Sequence, residues 1–273
     1  MARQFAAKGR DLALCARRVD NLDELKAELT ARHPGITVAT AALDVNDHEQ
    51  VPKVFNELSD ELGGIDCVIV NAGIGKGYPL GGGKLWANKA TIETNLVAAL
   101  VQTETALEMF RAAGAGHLVL VSSVLGNVGV PGFKAAYSAS KAAVEAIGNT
   151  FRQEVKPSGA KVGVAYYSEL ATDMTSRGFD TVAGKKLTGG GTVSGVAPVE
   201  AGLRALERGI ARRSRRIAAP GWVPPVVPLR HVAQRVIELK PMPDLEESLE
   251  IARSEQVAYT TEQPTGTTRT LGS

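Results

Sequence analysis

The chain has 273 residues, of which 44% are hydrophobic and 22% are charged, and its formal net charge is +2. This composition is typical of a globular protein, and the small net charge argues against a nucleic-acid partner. No apolar run approaches the roughly 20 residues of a membrane span, and charged residues from Lys8 onward interrupt the N-terminal apolar patch too early for a signal peptide. The sequence therefore predicts a cytoplasmic protein.

The two cysteines, Cys15 and Cys67, each lie in an apolar run of strand length. We interpret them as small core residues in a reducing compartment rather than as a disulfide or a metal site. The four histidines show no metal-ligand spacing with each other or with the cysteines. We therefore expect no bound metal.

Short apolar runs alternate with amphipathic helical segments along most of the chain. Predicted strands cover residues 11–16, 36–45, 66–70, 117–122, 161–167 and 216–219. Predicted helices cover 19–32, 47–62, 85–113, 135–155, 199–208 and 229–239, and we expect a break near the start of the one at 85–113. This alternation predicts an α/β fold, in which a doubly wound, mostly parallel sheet carries helices on both faces. We predict one domain over residues 1–240 and a flexible C-terminal tail over 241–273, where the chain is acidic and then rich in Thr and Gly.

Small or polar residues follow four of the predicted strands. They are Asp44, Asn71-Ala72-Gly73, Ser122-Ser123 and Tyr167-Ser168. The carboxyl ends of parallel strands lie at one edge of a sheet, and ligands bind there. Each residue alone is an ordinary loop residue, but together they predict a cleft.

Tyr137 and Lys141 lie four residues apart, so they share one face of a predicted helix. An ammonium beside a phenol favours the phenolate and lowers a pKa that is about 10 in model peptides. Such a pair can donate and accept a proton near neutral pH. A lone Tyr-x-x-x-Lys is more often an ordinary surface pair, so its interpretation depends on the rest of the chain.

The rest of the chain supplies an ordered set of further motifs. Asn71-Ala72-Gly73 follows a buried strand, Asn95 lies in the next helix, Ser123 begins Ser-x-x-Gly, and Tyr137 begins Tyr-Ser-Ala-Ser-Lys. In this order the motifs resemble the short-chain dehydrogenase/reductase family, and the resemblance runs from residue 1 to about residue 219. It implies a Rossmann-like sheet and an enzyme that uses a nicotinamide cofactor.

The resemblance also implies a role for each catalytic candidate. Tyr137 would give its proton to a substrate carbonyl during reduction and take it back in the reverse direction. Lys141 would lower the pKa of Tyr137 and hold the ribose hydroxyls of the cofactor. Ser123 would orient the carbonyl oxygen, with Ser122 as the less favoured alternative. Asn95 would hold a water that relays protons to Lys141.

Arg17 and Arg18 follow the strand at 11–16, where the resemblance places the residue that meets the adenosine ribose. An acidic residue there would bind both ribose hydroxyls and repel a 2′-phosphate, whereas a guanidinium suits the phosphate. We therefore predict NADP in preference to NAD, with two solvated arginines as the alternative. The resemblance assigns further cofactor contacts to Asp44, Val45, Asn71, Ala72, Gly73, Tyr137, Lys141 and Thr172.

The sequence departs from the family at its start. The family opens with a strand and a T-G-x-x-x-G-x-G turn whose amides hold the cofactor diphosphate, whereas this sequence begins inside the helix that follows that turn. The first strand of the sheet, which would lie beside the strands of Cys15 and Cys67, is therefore expected to be missing. We hypothesise that the chain is truncated at an internal methionine, which an in-frame reading of the upstream DNA would test.

The predicted function is an NADP-dependent oxidoreductase that interconverts a carbonyl and a secondary alcohol. Residues 168–197 are polar and glycine-rich but carry Met174, Phe179 and Leu187, which predicts a lid over an apolar ligand. Because we find no charged anchor beyond Lys141, we expect a lipophilic or ketoacyl-type substrate. The alternative is a catalytically inactive Rossmann-fold binding or scaffold protein, because the glycine-rich turn is absent.

Two kinds of further partner follow from the sequence. The resemblance implies a homodimer or homotetramer built on the long helices at 85–113 and 135–155. The basic run at 212–216 and the irregular segment at 221–228 leave a peripheral contact with an anionic membrane open, although a solvated turn is the favoured interpretation.

Overall fold

The structure is a computed structural model, and it describes residues 1–75, 78–175, 181–192, 194–242 and 244–256. The strands are β1 (Leu12–Ala16), β2 (Val38–Ala42), β3 (Cys67–Val70), β4 (His117–Val121), β5 (Lys161–Tyr167) and β6 (Arg216–Ala219). The helices are α1 (Ala2–Ala6), α2 (Val19–Arg32), α3 (Gln50–Leu62), α4 (Leu85–Ile92), α5 (Ala98–Ala113), α6 (Ala135–Glu154), α7 (Val182–Thr188), α8 (Val199–Ala211), α9 (Val223–Val226), α10 (Arg230–Glu238) and α11 (Leu245–Ser254).

Among the described residues, all strand pairs are parallel, and they form two sheets. One sheet contains β1 and β2, and the other has the order β3-β4-β5-β6. In the part of the chain that the structure describes, no strand joins β1 to β3. The carboxyl ends of β3, β4 and β5 lie side by side, because the register pairs Val70 with Leu120 and Val121 with Ala165. With helices on both faces, the predicted α/β fold with parallel strands is confirmed.

Helix α3 shows how the sequence pattern holds the two sheets in one core. Its buried residues Val51, Val54, Phe55 and Leu58 follow the i, i+3, i+4, i+7 spacing of one apolar helix face. They belong to the same buried cluster as Ala39 of β2, Val68 of β3 and Phe110 of α5. Burial of each large apolar side chain contributes about 1.5–3 kcal/mol, so helix packing couples the two sheets without a strand between them.

Two segments bear on the sequence-based expectation. The break expected near the start of the helix at 85–113 corresponds to a π-helical turn, Glu93–Val97, between α4 and α5. The predicted flexible tail contains α11, which lies against α7 through ion pairs from Lys186 to Asp244 (3.4 Å) and Glu247 (2.9 Å). Residues 257–273 of that tail lie outside the described residues, and the single domain over 1–240 stays a prediction. Within the described ranges, no helix has both the length and the apolar character needed to cross a bilayer.

Candidate active site

A cleft of about 2510 Å³ opens at the carboxyl edge of the sheets. It also extends between β1 and β3, where Cys15 and Ile69 line it. Among the predicted site residues, Arg18 and Asn95 do not line its wall. Those that do are Arg17, Asp44, Val45, Asn71, Ala72, Gly73, Ser123, Tyr137, Lys141 and Thr172.

Lys141 is buried on α6, beside the end of β4. Its Nζ donates a hydrogen bond to the carbonyl oxygen of Val121 at 2.8 Å and lies 5.9 Å from the centroid of the Tyr137 ring. Burial lowers the pKa of Lys141 to about 8, since an ammonium loses hydration there. The ammonium therefore sits in the cleft wall with little solvent and with one main-chain acceptor among the described residues.

The loop after β4 approaches the backbone of α6 unusually closely. A Cβ atom at Gly126 would lie 2.8 Å from the carbonyl carbon of Lys141 and 2.9 Å from the nitrogen of Ala142. The hydroxyl of Ser122 donates to the carbonyl oxygen of Lys141 at 2.7 Å. Gly126, the glycine of Ser-x-x-Gly, therefore lacks a side chain for a packing reason. It lets the loop after β4, which carries Ser122 and Ser123, contact the helix that carries Tyr137 and Lys141.

Tyr137 is half-buried one helical turn before Lys141. Burial raises the pKa of Tyr137, and a side-chain hydrogen bond with Ser123 partly offsets this shift. The expected net lowering of the Tyr137 pKa is therefore wrong for this structure. Desolvation, the largest cause of the shift, disfavours the phenolate. Tyr137 is consequently a neutral phenol, which is a proton donor, at neutral pH.

Ser123 is buried and connects the ends of two strands. Its Oγ accepts a hydrogen bond from the amide of Leu125 at 3.2 Å and donates one to the carbonyl oxygen of Tyr167, also at 3.2 Å. The hydroxyl of Ser122, by contrast, is directed to the backbone of α6. The side-chain interaction with Tyr137 supports the choice of Ser123 over Ser122 as the partner of that phenol.

Asn95 lies in the π-helical turn and is only 1% exposed. Its Oδ1 accepts from the amide of Ile74 at 2.7 Å, and its Nδ2 donates to the carbonyl oxygen of Ile74 at 2.9 Å and to Ser140 Oγ at 3.2 Å. A Cβ atom at Gly73 would lie 3.1 Å from Asn95 Oδ1 and 3.5 Å from Lys141 Nζ. Asn95 is therefore not a solvated helix residue, because it ties the loop after β3 to α6.

The residues predicted to meet the adenosine half of a cofactor lie at the ends of β1 and β2. Arg17 is exposed at the cleft wall, whereas Arg18 is the residue that precedes α2. Asp44 accepts a hydrogen bond from the amide of Asn46 at 3.0 Å, and Val45 lies beside it on the wall. At the opposite end of the cleft, the hydroxyl of Thr172 donates to the carbonyl oxygen of Leu170 at 3.4 Å.

Lys134 and Glu169 are among the charged residues of the cleft wall that sequence reasoning missed. Lys134 Nζ donates to the carbonyl oxygen of Gly75 at 2.8 Å. Burial lowers the pKa of Lys134 to about 8, and the nearby Glu169 offsets part of this shift. The expectation of no charged anchor beyond Lys141 is therefore wrong. The missed signal was the place of Lys134 directly before α6, three residues from Tyr137.

The predicted lid contributes apolar residues to the same end of the cleft. Met174 and Leu187 both line the wall. A Cβ atom at Gly75 would lie 2.8 Å from Met174 Cγ, and one at Gly132 would lie 2.4 Å from Leu187 Cδ2. Phe179, the third predicted lid residue, lies outside the described residues. Met174 and Leu187 therefore pack against the loops that border Lys134.

Comparisons with known proteins agree with this geometry. A family model described as short chain dehydrogenase matches residues 1–182. An uncharacterized oxidoreductase of Mycobacterium tuberculosis (strain ATCC 25618 / H37Rv) is 58% identical over 222 residues, which cover 81% of this chain and 83% of that protein. The solved NADPH-dependent 3-quinuclidinone reductase from Rhodotorula rubra is similar, with a TM-score of 0.69 and 27% identity over 81% of this chain and 84% of that chain. An alcohol dehydrogenase from Thermococcus sibiricus, solved with 5-hydroxy-NADP, has a TM-score of 0.66 at 23% identity, over 80% of this chain and 88% of that chain.

Proposed function

We propose that this chain, which belongs to the short-chain dehydrogenase family, is an NADP-dependent oxidoreductase that interconverts a carbonyl compound and a secondary alcohol. The observation that carries the proposal is the meeting of Ser123, Tyr137 and Lys141 on one cleft wall. Three different tertiary contacts hold them there: Ser123 to Tyr167, Lys141 to Val121, and Gly126 against α6. A surface Tyr-Lys pair would have none of these contacts.

The residues present fit a nicotinamide cofactor. Lys141 has three donor hydrogens, and Val121 is its hydrogen-bond acceptor among the described residues, which leaves two donors there for ribose hydroxyls. Gly73 leaves the wall beside Lys141 and Asn95 without a side chain, where a Cβ atom would already be in tight contact. When bound, the cofactor supplies or accepts a hydride.

The protein residues would handle the proton and the geometry. Tyr137 holds a proton on its Oη, and burial keeps it there at neutral pH. Ser123, whose Oγ accepts from the amide of Leu125, would turn its hydroxyl hydrogen from the Tyr167 carbonyl to the substrate carbonyl oxygen and orient that oxygen toward the phenol. The Lys141 ammonium would favour the phenolate that remains after the proton leaves.

Asn95 would serve mainly as a positioning residue in this proposal. Its side-chain amide is engaged with Ile74 and Ser140, so a relay water would have to be held by main-chain groups of the π-helical turn. Such turns are often found at functional sites. Loss of the Asn95 amide is expected to disorder the loop after β3 as well as any proton relay.

The preference for NADP rests on Arg17. Its guanidinium is at the cleft wall, in a position that suits charge-assisted hydrogen bonds to a 2′-phosphate. The similar reductase from Rhodotorula rubra is NADPH-dependent by its description. Asp20, whose carboxylate would repel a 2′-phosphate, also lines the wall. The affinities for NADPH and NADH are therefore compared directly. Arg17→Ala should lower the affinity for NADPH and leave that for NADH nearly unchanged.

The central experiment combines cofactor binding with turnover. NADPH is titrated by its fluorescence, and its oxidation is then followed with a panel of ketones. Tyr137→Phe should retain NADPH binding and lose on the order of 10²- to 10⁴-fold in kcat, because it removes only the proton donor. Turnover that is unchanged in Tyr137→Phe would contradict the proposed chemistry.

A second function remains open because of the gap between the sheets. Within the described residues no strand joins β1 to β3, and the cleft extends between them. A protein that binds a partner or ligand there without turnover is the alternative. Failure to bind either NADPH or NADH would favour this alternative and refute the enzyme proposal.

A further inference from the structure

Lys134 is a cation on the cleft wall, close enough to Glu169 for that carboxylate to act on it through its charge. Phe133, Met174 and Leu187 add apolar side chains to the same wall. Lys134 immediately precedes α6, and its acceptor Gly75 lies against Met174. Lys141 is directed to the end of β4, whereas Lys134 is directed to Gly75 in the loop after β3.

The ammonium of Lys134 has more donors than its protein partners use. Of its three N–H groups, one is taken by the carbonyl oxygen of Gly75 at 2.8 Å, which is its hydrogen-bond partner within the described residues. Glu169 is near enough to act through its charge, but its carboxylate accepts from the amide and hydroxyl of Ser194 at 2.8 Å and 2.7 Å. A desolvated donor without an acceptor is costly, so a ligand oxygen at this point would be stabilised.

We propose that Lys134 selects substrates that carry a second oxygen acceptor close to the reacting carbonyl, and that it does so by donating a hydrogen bond to that acceptor. This inference rests on the proposed function, which places the reacting carbonyl at Tyr137. The substrate class it names is an apolar chain with two nearby oxygens, such as a ketoacyl ester or an oxo acid. The apolar wall binds the chain, and Lys134 binds the second oxygen.

The competing explanation is structural. In that case the bond from Lys134 to Gly75 only holds the loop after β3 against α6, and its loss would slow every ketone equally. Matched substrates separate the two explanations. Ethyl acetoacetate and methyl pentyl ketone have chains of equal length, and only the ester has a second carbonyl. Acetoacetate tests whether a charged acceptor is preferred to a neutral one.

The experiment measures kcat/KM for NADPH-dependent reduction of these three ketones. In the unaltered protein, ethyl acetoacetate or acetoacetate should exceed methyl pentyl ketone by about 10-fold, which is the effect of one hydrogen bond to a charged group. Lys134→Met should abolish this preference and change methyl pentyl ketone less than twofold. Lys134→Arg should restore part of it, and Lys156→Met, at an exposed lysine of the turn after α6, should change nothing.

The possible results separate this inference from the proposed function. An equal loss for all three ketones in Lys134→Met overturns the selection by Lys134 and leaves the proposed function intact. NADPH binding without turnover of either acetoacetate or its ester also overturns it. No NADPH binding and no turnover that depends on Tyr137 would instead refute the proposed function itself.

Discussion

The substitution Gly126→Ala tests whether the close contact between the serine loop and α6 holds the site together. The new Cβ atom would lie 2.8 Å from the carbonyl carbon of Lys141, whereas ordinary contacts begin at 3.4 Å, so the backbones must separate by about 0.6 Å. Both neighbouring atoms belong to the backbone, so no side chain can move aside. Overpacking of this kind destabilises a protein by about 1–3 kcal/mol. A displacement of this size between Ser123 and Lys141 should also lower kcat by on the order of 10- to 100-fold.

Gly129→Ala, in the same loop, is the matched control. A Cβ atom there would first meet the side chain of Gln234 at 3.7 Å, and neither glycine has a positive φ, so alanine is not strained at either position. The free energy of unfolding is measured by urea denaturation, and kcat is measured with the best ketone from the panel. Gly129→Ala should stay within about 0.5 kcal/mol of the unaltered protein. If Gly126→Ala behaves like Gly129→Ala in both measurements, the packing argument for Ser-x-x-Gly is refuted.

Two further predictions concern pH. His117 is fully buried, and neither ring nitrogen has a hydrogen-bond partner among the described residues; burial and Arg213 lower its pKa from 6.5 to about 4. As the pH falls, His117 in the unfolded chain therefore takes up a proton before His117 in the folded protein does. The free energy of unfolding should fall by about 3 kcal/mol between pH 6.5 and pH 4. Urea denaturation of His117→Leu over the same pH range should lack this loss. The kcat/KM for ketone reduction should decline above pH 8, because Lys141 loses its proton there while Tyr137 keeps its own. Lys134→Met is the control: if its pH profile of kcat/KM retains the decline, the decline belongs to Lys141.

The features that could be predicted from the sequence are those set by local pattern. The apolar spacing of α3 and the continuous apolar runs of the strands depend on residues close together in the chain. The position of Ser123 and Lys141 at one cleft also follows, because parallel strands bring their carboxyl ends to the same edge. These relations need only the order of the elements.

The features that could not be predicted depend on contacts between distant segments. The direction of Lys134 is decided by Gly75, which lies 59 positions earlier in the chain. The π-helical turn at Asn95 accompanies hydrogen bonds to the backbone of Ile74, 21 positions earlier. The helix α11 lies in a segment of tail-like composition, and its docking depends on α7, where Val182 donates to Glu255 at 2.8 Å. Local propensity is a weak guide wherever such tertiary contacts decide.

The same physical cause gives Lys134 and Lys141 their proposed roles. Each ammonium is desolvated, each has a pKa lowered to about 8, and each has one main-chain carbonyl acceptor among the described residues. A ligand oxygen that replaces lost hydration would therefore gain more at these positions than at an exposed lysine. Tyr137 lies between the two lysines in the chain. Lys141 would therefore orient the cofactor and Lys134 would orient the substrate, and both ligands would meet at Tyr137, the single proton donor.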